Sequence, residues 1–503
     1  MSAGRVPGLA RAGRDPRAAV AAALAVLSRH PRHLVLAALA AGLLAAPLAP
    51  AHVGLLALAA AALAGRPPLA LLAAAAVLGG ALGGQARLAA LERSQLPPLL
   101  GASVTAPVVL LDQPRPVRHG ATALAELHAP LAGRGHGERV MLRIKQETAW
   151  PAAATGAIVL VRGRLRALGP FERHYARRGA HAAISLEAAA LTSGRRGGAM
   201  GVVDAIRTRA ERALDAGLPP AQAALLRGMT LGQDDRLDER TREEFRASSL
   251  AHVLAASGQN VALLLALALP LLAYAGLGLR GRLLGALALI VLYVPLAGAG
   301  PSIQRAGVMG AATTVAALAG RPASRWYALL LAAAVTLALN PRASGDPGWQ
   351  LSFAAVVAIA LIVPGTRGAM LARRVPAPVA DAVAISFAAT LGTAPLLAFH
   401  FAQVSLVGLP ANLLAAPAIA PITWLGMLAA GLGQLTPALA VPLNGVNAYL
   451  LAYVGWVARA AADVPYASVE LVLPGLLALL GSYAAIVVLA LLGRALLRRR
   501  PAA

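Results

Sequence analysis

The sequence contains no cysteine, which excludes disulfide bonds, iron–sulfur clusters, thiolate zinc sites and cysteine nucleophiles. Only 13% of its 503 residues are charged and 4% are aromatic, whereas a soluble domain carries about 25% charged residues. Hydrophobic residues make up 58% of the chain, and the mean hydropathy is +0.68. This composition predicts a mainly α-helical polytopic membrane protein and excludes a large soluble enzyme.

Lysine is almost absent, because 44 of the 45 basic residues are arginine. A phosphate-binding P-loop needs a lysine in a glycine-rich loop, and the single lysine, Lys145, has no glycine near it. Any ATP-driven motor is therefore expected to be a separate cytoplasmic protein. The sequence also has no hydrolase elbow motif and no clustered histidine motif, so it predicts no catalytic residue, no metal site and no cofactor.

Apolar segments separated by short loops fill the second half of the chain. They predict nine helices, at about 248–275, 283–299, 301–319, 326–339, 350–363, 378–399, 409–432, 443–460 and 471–493. Three more segments at 34–84 bring the total to about twelve transmembrane helices. Arginines collect in alternate loops, which predicts a multi-pass protein of the cytoplasmic (inner) membrane with both termini in the cytoplasm.

The net charge of +24 has two interpretations: arginines that collect in cytoplasmic loops, or a polyanionic partner. The composition and charge of the chain change along its length and divide it into five segments. The predicted segments are a basic cytoplasmic tail at 1–33, three helices at 34–84, an extracytoplasmic domain at 85–201, an amphipathic helical connector at 202–247 and a transmembrane domain at 248–503 that ends in a basic cytoplasmic C-terminus.

The extracytoplasmic segment differs in composition from its neighbours. Apolar and basic residues alternate along Arg139–Lys145, as in a half-buried strand, and similar runs occur at Gly101–Leu111, Ala157–Leu168 and His181–Leu191. Four or five short strands predict a small barrel or sandwich. Between residues 101 and 193 there are 12 basic and 6 acidic residues, an excess that the positive-inside rule does not explain on the outer side.

The connector is rich in both charges, with breaks predicted at Gly217–Pro220 and Gly232. Asp238 and Arg242 lie four residues apart, which favours a pair on a solvent-exposed helix. A solvated connector and a functional element both remain open for this segment.

Polar residues within the apolar segments are costly in lipid and are therefore candidates for a conduction path. Ser257 and Gly258 predict a local helix break, and Arg305 either faces the path or extends to the outer interface. The predicted path residues are His252, Ser257, Asn260, Gln304, Arg305, Asp346, Gln350, His400 and Asn412.

Several long motifs, in order along the chain, resemble those of the ComEC family. These motifs are Leu226–Gly232, Leu237–Arg246, Leu250–Gly258, Pro301–Met309, Asp346–Phe353 and Gly392–Pro417. The resemblance covers residues 34–493. It implies an inner-membrane channel that conducts single-stranded DNA into the cytoplasm of naturally competent bacteria.

The run Gly169–Gly179 looks like the signature of that family's outer domain, which implies an OB-like barrel that holds DNA before the helices thread it. The predicted phosphate contacts are Arg143, Lys145, Arg162 and Arg164. The aromatic residues could stack on bases if they are exposed, or else belong to the core; they are Trp150, Phe171 and Tyr175.

The chain departs from the family pattern at two points. Many relatives read Ser-Gly-Leu-His where this chain reads Ser257-Gly258-Gln259-Asn260, so a role that needs this histidine is not carried over. The metallo-β-lactamase-like domain of many members is not expected here. A nuclease is then either a separate protein or unused, and a separate DNA receptor and motor are the other expected partners, besides single-stranded DNA and the lipid bilayer.

Two alternatives from other classes remain. A small-solute membrane transporter predicts internal repeats, which the sequence does not show. A membrane-embedded enzyme acting on lipid-linked substrates would need a catalytic carboxylate or metal cluster near the membrane, and the acidic group at Asp234–Glu244 is the only candidate.

Overall fold

The structure, a computed structural model, describes residues 30–64, 66–117 and 119–499. The predicted basic tail at 1–33 therefore lies almost entirely outside the described residues. Contacts divide the chain into two units. Unit 1 comprises the residues up to Gly201, Leu265–Pro295 and Ile303–Asp346, and unit 2 comprises Val202–Leu264, Leu296–Ser302 and the residues from Pro347 onward.

Unit 1 begins with the three predicted apolar helices, each of which starts at a proline. They are α1 (Pro31–Ala45), α2 (Pro50–Ala64) and α3 (Pro67–Glu92). Proline suits the first position of a helix because its missing N–H would have no partner there. The helices α1 and α3 pack closely at Gly42, which has no side chain to keep them apart. A Cβ on Gly42 would lie only 2.1 Å from the carbonyl oxygen of Val77.

A mixed six-stranded sheet follows. Five of its strands close into a barrel, and the short second strand lies at the edge. Its strands are β1 (Ser103–Leu110), β2 (Arg115–Val117), β3 (Gly120–Leu127), β4 (Arg139–Ile144), β5 (Ala157–Arg166) and β6 (Ala180–Arg195). The sheet order is β1-β5-β6-β4-β3-β2, and β1 also pairs with β3, which closes the barrel. The pair β4–β6 is parallel, and the other pairs are antiparallel.

The alternation predicted for these strands is confirmed. In β5 the side chains of Val159, Val161 and Leu165 are buried in the barrel, whereas those of Arg162 and Arg164 are exposed. The four predicted strands correspond to β1, β4, β5 and β6. Strand β3 was not predicted, because its alanines, glycine and threonine give little apolar alternation.

Hydrogen bonds fasten the barrel to the end of α3. Glu138 accepts from Ser94 Oγ and from the Gln95 amide, both at 2.6 Å. The His181 ring bridges the two parts, with Nδ1 2.7 Å from Glu138 Oε2 and Nε2 2.9 Å from the Leu91 carbonyl oxygen. Burial alone raises the pKa of Glu138, but the hydrogen bonds from Ser94, Gln95 and His181 outweigh it and lower that pKa.

This lowered pKa predicts an acid-sensitive attachment. The stabilisation by ionised Glu138 is present above the ordinary glutamate pKa of about 4.3 and is lost as the pH falls through the lower pKa of the folded state. Glu138→Gln should cost about 1–3 kcal/mol at pH 7 and flatten the acid limb of the stability profile. Thermal unfolding from neutral to acidic pH measures this. Glu147→Gln, at an exposed position, is the control, and equal effects of both substitutions would contradict the prediction.

The remaining helices include one at each of the nine positions predicted after residue 248, together with the connector helices and the short α4, which was not predicted. They are α4 (Arg173–Arg177), α5 (Gly198–Asp215), α6 (Pro220–Leu231), α7 (Glu239–Ala247), α8 (Ala251–Leu254), α9 (Gly258–Tyr274), α10 (Leu279–Leu296), α11 (Pro301–Leu318), α12 (Arg325–Leu339), α13 (Pro347–Ala372), α14 (Ala377–Phe401), α15 (Gly408–Leu432), α16 (Val441–Ala462) and α17 (Gly475–Arg499). The helix predicted at 248–275 is interrupted between α8 and α9, at the predicted Ser257–Gly258 break. Two short strands, β7 (Gln403–Ser405) and β8 (Ser468–Glu470), pair antiparallel.

Seven helices in the described part of the chain are long and apolar enough to cross a membrane. Six of them are α3, α10, α13, α14, α15 and α17, and the seventh is α16 together with the turn before it. Four shorter apolar helices, α1, α2, α9 and α12, have 15 to 17 residues. The protein is thus a membrane protein, and the figure of about twelve spans stays a prediction.

The connector is not uniformly exposed. All residues from Ala223 to Leu231 of α6 are buried in the core of unit 2, where α6 packs against α15 and α16. The expected Asp238–Arg242 side-chain pair is wrong, because Asp238 caps α7 and accepts from the backbone N–H and Oγ1 of Thr241. These hydrogen bonds lower the pKa of Asp238.

Candidate functional site

The structure distributes the predicted path residues over both units. Gln304, Arg305 and Asp346 belong to unit 1. The members in unit 2 are His252, Ser257, Asn260, Gln350, His400 and Asn412. Within each unit, the local contacts show which of these residues meet.

Two distant motifs of unit 2 converge where α13 begins and α14 ends. His400 Nε2 lies 2.7 Å from Gln350 Oε1. Because an amide oxygen only accepts, His400 carries a proton on Nε2 in this contact. Next to Gln350 on α13, the rings of Trp349 and Phe353 pack with centroids 4.2 Å apart. A polar contact and an aromatic contact therefore lie side by side, where α13 begins and α14 ends.

A second contact joins two motifs that are far apart along the chain. Ser352 Oγ donates to Ser302 Oγ at 2.9 Å, which ties the start of α11 to the first turns of α13. These serines were not among the predicted path residues, although both lie inside the ComEC-like motifs. A serine pair in an apolar environment needs such a partner, which was the available signal.

The helix break between α8 and α9 is held by Asn260. This buried side chain donates from Nδ2 to the Met229 carbonyl oxygen at 2.8 Å, and Ser257 Oγ donates to its Oδ1 at 3.3 Å. His252 is exposed on the same segment and donates through Nδ1 to the Ser249 carbonyl oxygen. Asn260 and Ser257 thus position the break, whereas His252 is presented outward from it.

Unit 2 contains further buried polar groups that were not among the predicted path residues. Arg227 in α6 pairs with Asp215 through Nη2 and Oδ2, 2.5 Å apart. Asn444 is fully buried and donates to the carbonyl oxygens of Ala213 and Ala216, at 2.8 Å each. Asn412, one of the predicted path residues, also has a buried Oδ1, which has no hydrogen-bond partner in the described part of the chain. A polar interior in this unit extends beyond the residues that were predicted.

Arg305 lies about one turn inside α11 and is only 6% exposed. An arginine that extends to the outer interface would expose its guanidinium, so this burial argues against the alternative of an interfacial anchor. Gln304 beside it is half-buried. The predicted role of Arg305 on a conduction path stays a prediction.

The turn before Asp346 is attached to the barrel. Asn340 Nδ2 donates to the Arg177 carbonyl oxygen at 2.9 Å, and Arg342 Nη1 donates to the Ala176 carbonyl oxygen at 3.1 Å. Since both acceptors end α4, the signature segment of the barrel and the Asn340–Asp346 turn lie on the same side of unit 1.

The barrel brings some predicted basic residues together. Arg143 on β4 and Arg164 on β5 are both register partners of Ser185 on β6, so the two arginines flank Ser185 on the outer face. Arg143 pairs with Glu172, and Arg164 Nε donates to the Gly101 carbonyl oxygen at 3.0 Å. The other two predicted contacts, Lys145 and Arg162, are exposed.

The aromatic residues predicted to stack on bases differ in their burial. Tyr175 is only 3% exposed and donates its hydroxyl to Thr122 Oγ1 at 2.9 Å, so its ring belongs to the packing under α4 and does not meet the condition for stacking. Burial raises the pKa of Tyr175. Trp150 is half-buried against the barrel core. The side chain of Phe171 lies outside the described part of the structure.

Comparison with known proteins agrees with these motifs. The sequence model of the competence protein family matches residues 229–496, more than half of the chain. ComE operon protein 3 of Bacillus subtilis (strain 168) is 25% identical over 200 residues. That alignment covers 40% of this chain and only 25% of the relative. No solved structure matches. The chain belongs to the competence protein family, as its ComEC-like motifs indicated.

Proposed function

We propose that this protein is a channel of the cytoplasmic membrane that conducts single-stranded DNA inward during natural transformation. The observation that carries the proposal is that the family match covers the helical domain, where polar residues of separate motifs meet at His400–Gln350 and Ser302–Ser352. Polar pairs inside a helical membrane domain are suited to a path for a charged polymer. The protein itself performs no covalent chemistry in this proposal.

The barrel is proposed to bind the strand outside the membrane. Without the short β2, its five strands pair in the order first-second-third-fifth-fourth and close, with one parallel pair, which favours an OB-like barrel. OB-type barrels bind single strands with a basic groove and exposed aromatic rings. Arg143 and Arg164 supply the basic face, with Lys145 and Arg162 beside it.

In this proposal a separate DNA receptor delivers the strand, a separate cytoplasmic ATPase pulls it, and any nuclease that degrades the other strand is a separate protein. The termini lie in the cytoplasm and the barrel outside. The alternating arginine loops support this orientation.

Deletion of the gene tests the proposal. The transformation frequency with linear chromosomal DNA should fall to background and return on complementation, because DNA would have no route across the membrane. Electroporation of a plasmid, which bypasses uptake, serves as the control and should be unaffected. A deletion strain that transforms as well as its parent would refute the proposed function.

A further inference from the structure

Glu172 places a carboxylate beside Arg143 on the basic face of the barrel. It ends the short turn Pro170–Glu172 that precedes α4, and it is buried. One carboxylate oxygen accepts from the Gly169 amide at 2.6 Å, and the other pairs with Arg143 Nη2. Glu172 is therefore held toward Arg143 by its own turn.

Arg143 is the residue of this pair that nucleic acid could reach. Its side chain is 45% exposed, whereas that of Glu172 is 10% exposed. Across Ser185 lies Arg164, whose side chain is also exposed. A phosphate that approached the two arginines would meet one guanidinium that a carboxylate of the protein has already neutralised.

Carboxylates and phosphates bind the same donor fork of arginine, so they compete for it. A partly exposed ion pair contributes a factor of only about two to five to an equilibrium constant, so a phosphate can displace the carboxylate reversibly. A strand that must move on needs sites that are occupied and then left readily.

We propose that Glu172 competes with the phosphates of single-stranded DNA for Arg143 and thereby keeps binding by the barrel weak enough for release. The inference rests on the proposed function of the barrel as a binding site. It assigns to the carboxylate a control of affinity, which goes beyond the basic contacts themselves.

The test compares Glu172→Gln with Glu147→Gln in the full-length protein in lipid nanodiscs. Glutamine can still accept from the Gly169 amide but does not neutralise Arg143. Glu147→Gln is the matched control, because it removes the same charge from an exposed position of the same domain, and within the described residues Glu147 forms no ion pair with the predicted phosphate contacts. Fluorescence anisotropy with a labelled oligothymidylate measures affinity from about 50 to about 200 mM salt.

Glu172→Gln should bind about two- to fivefold more tightly than wild type. The slope of log affinity against log salt should steepen by about 0.7, because one more phosphate contact forms. Glu147→Gln should leave the slope unchanged, and adding Arg143→Gln to Glu172→Gln should remove the gain. Wild-type binding with no gain in Glu172→Gln, or an equal gain in Glu147→Gln, overturns this inference alone. Absence of binding by both wild type and Glu172→Gln overturns the proposed function as well.

Discussion

Replacing Arg305 with leucine is expected to lower the transformation frequency by a factor of about 10–100, because a hydrogen bond to a charged group contributes about 1.5–3 kcal/mol. The guanidinium is permanently charged and has five donors, which suits a passing phosphate. Its position one turn inside α11 would present it to the strand soon after the barrel releases it. The measurement is transformation frequency in the deletion strain carrying each variant.

The amount of Arg305→Leu protein in the membrane and its melting temperature should match wild type, because leucine removes the cost of placing a charged side chain inside an apolar segment. Arg305→Lys keeps the charge and loses the fork, so it should retain part of the uptake. Arg321→Leu, at an exposed position after α11, is the matched control and should transform normally. Wild-type uptake by Arg305→Leu would move the proposed path to His252–Asn260.

Labelling in intact cells is expected to be all or none at two positions that the proposed topology places on opposite sides of the membrane. An impermeant maleimide should modify a cysteine at His136, in the barrel, and leave a cysteine at Ala369 unmodified. Both positions are exposed, and the chain has no native cysteine to interfere. Ala369 lies near the end of α13, beside Arg367 and the pair Arg373–Arg374, which the positive-inside rule predicts to lie in the cytoplasm.

The structure favours His136 over its neighbour Gly135 as the position for this cysteine. Gly135 is buried with a φ of +76°, and a Cβ there would lie 2.7 Å from Leu96 Cδ2, so a cysteine would disturb the barrel. Permeabilised cells provide the control, because Ala369→Cys should then become labelled. Modification of Ala369→Cys but not of His136→Cys in intact cells would reverse the proposed topology.

The helix positions were predictable from sequence because long apolar segments have few alternatives in lipid. The break at Ser257–Gly258 was predictable as well, from a polar dipeptide inside an apolar run. Strand β3 was not, since its small residues become buried only when the barrel closes around them. For the same reason, the buried Asn444 in α16 gave no clear signal along the chain.

The sequence by itself determined the class of the protein, the position of its helices, the presence of a strand-rich domain and the family, because hydrophobic content, periodicity and motif order are properties of the linear chain. Only the tertiary structure decided which polar side chains are partners. His400 and Gln350 are 50 residues apart in sequence and hydrogen-bonded in space, and Arg143 meets Glu172 across the barrel surface. Tertiary packing also decided that Tyr175 is buried and not exposed, because burial depends on which segments pack together and not on the residue type alone.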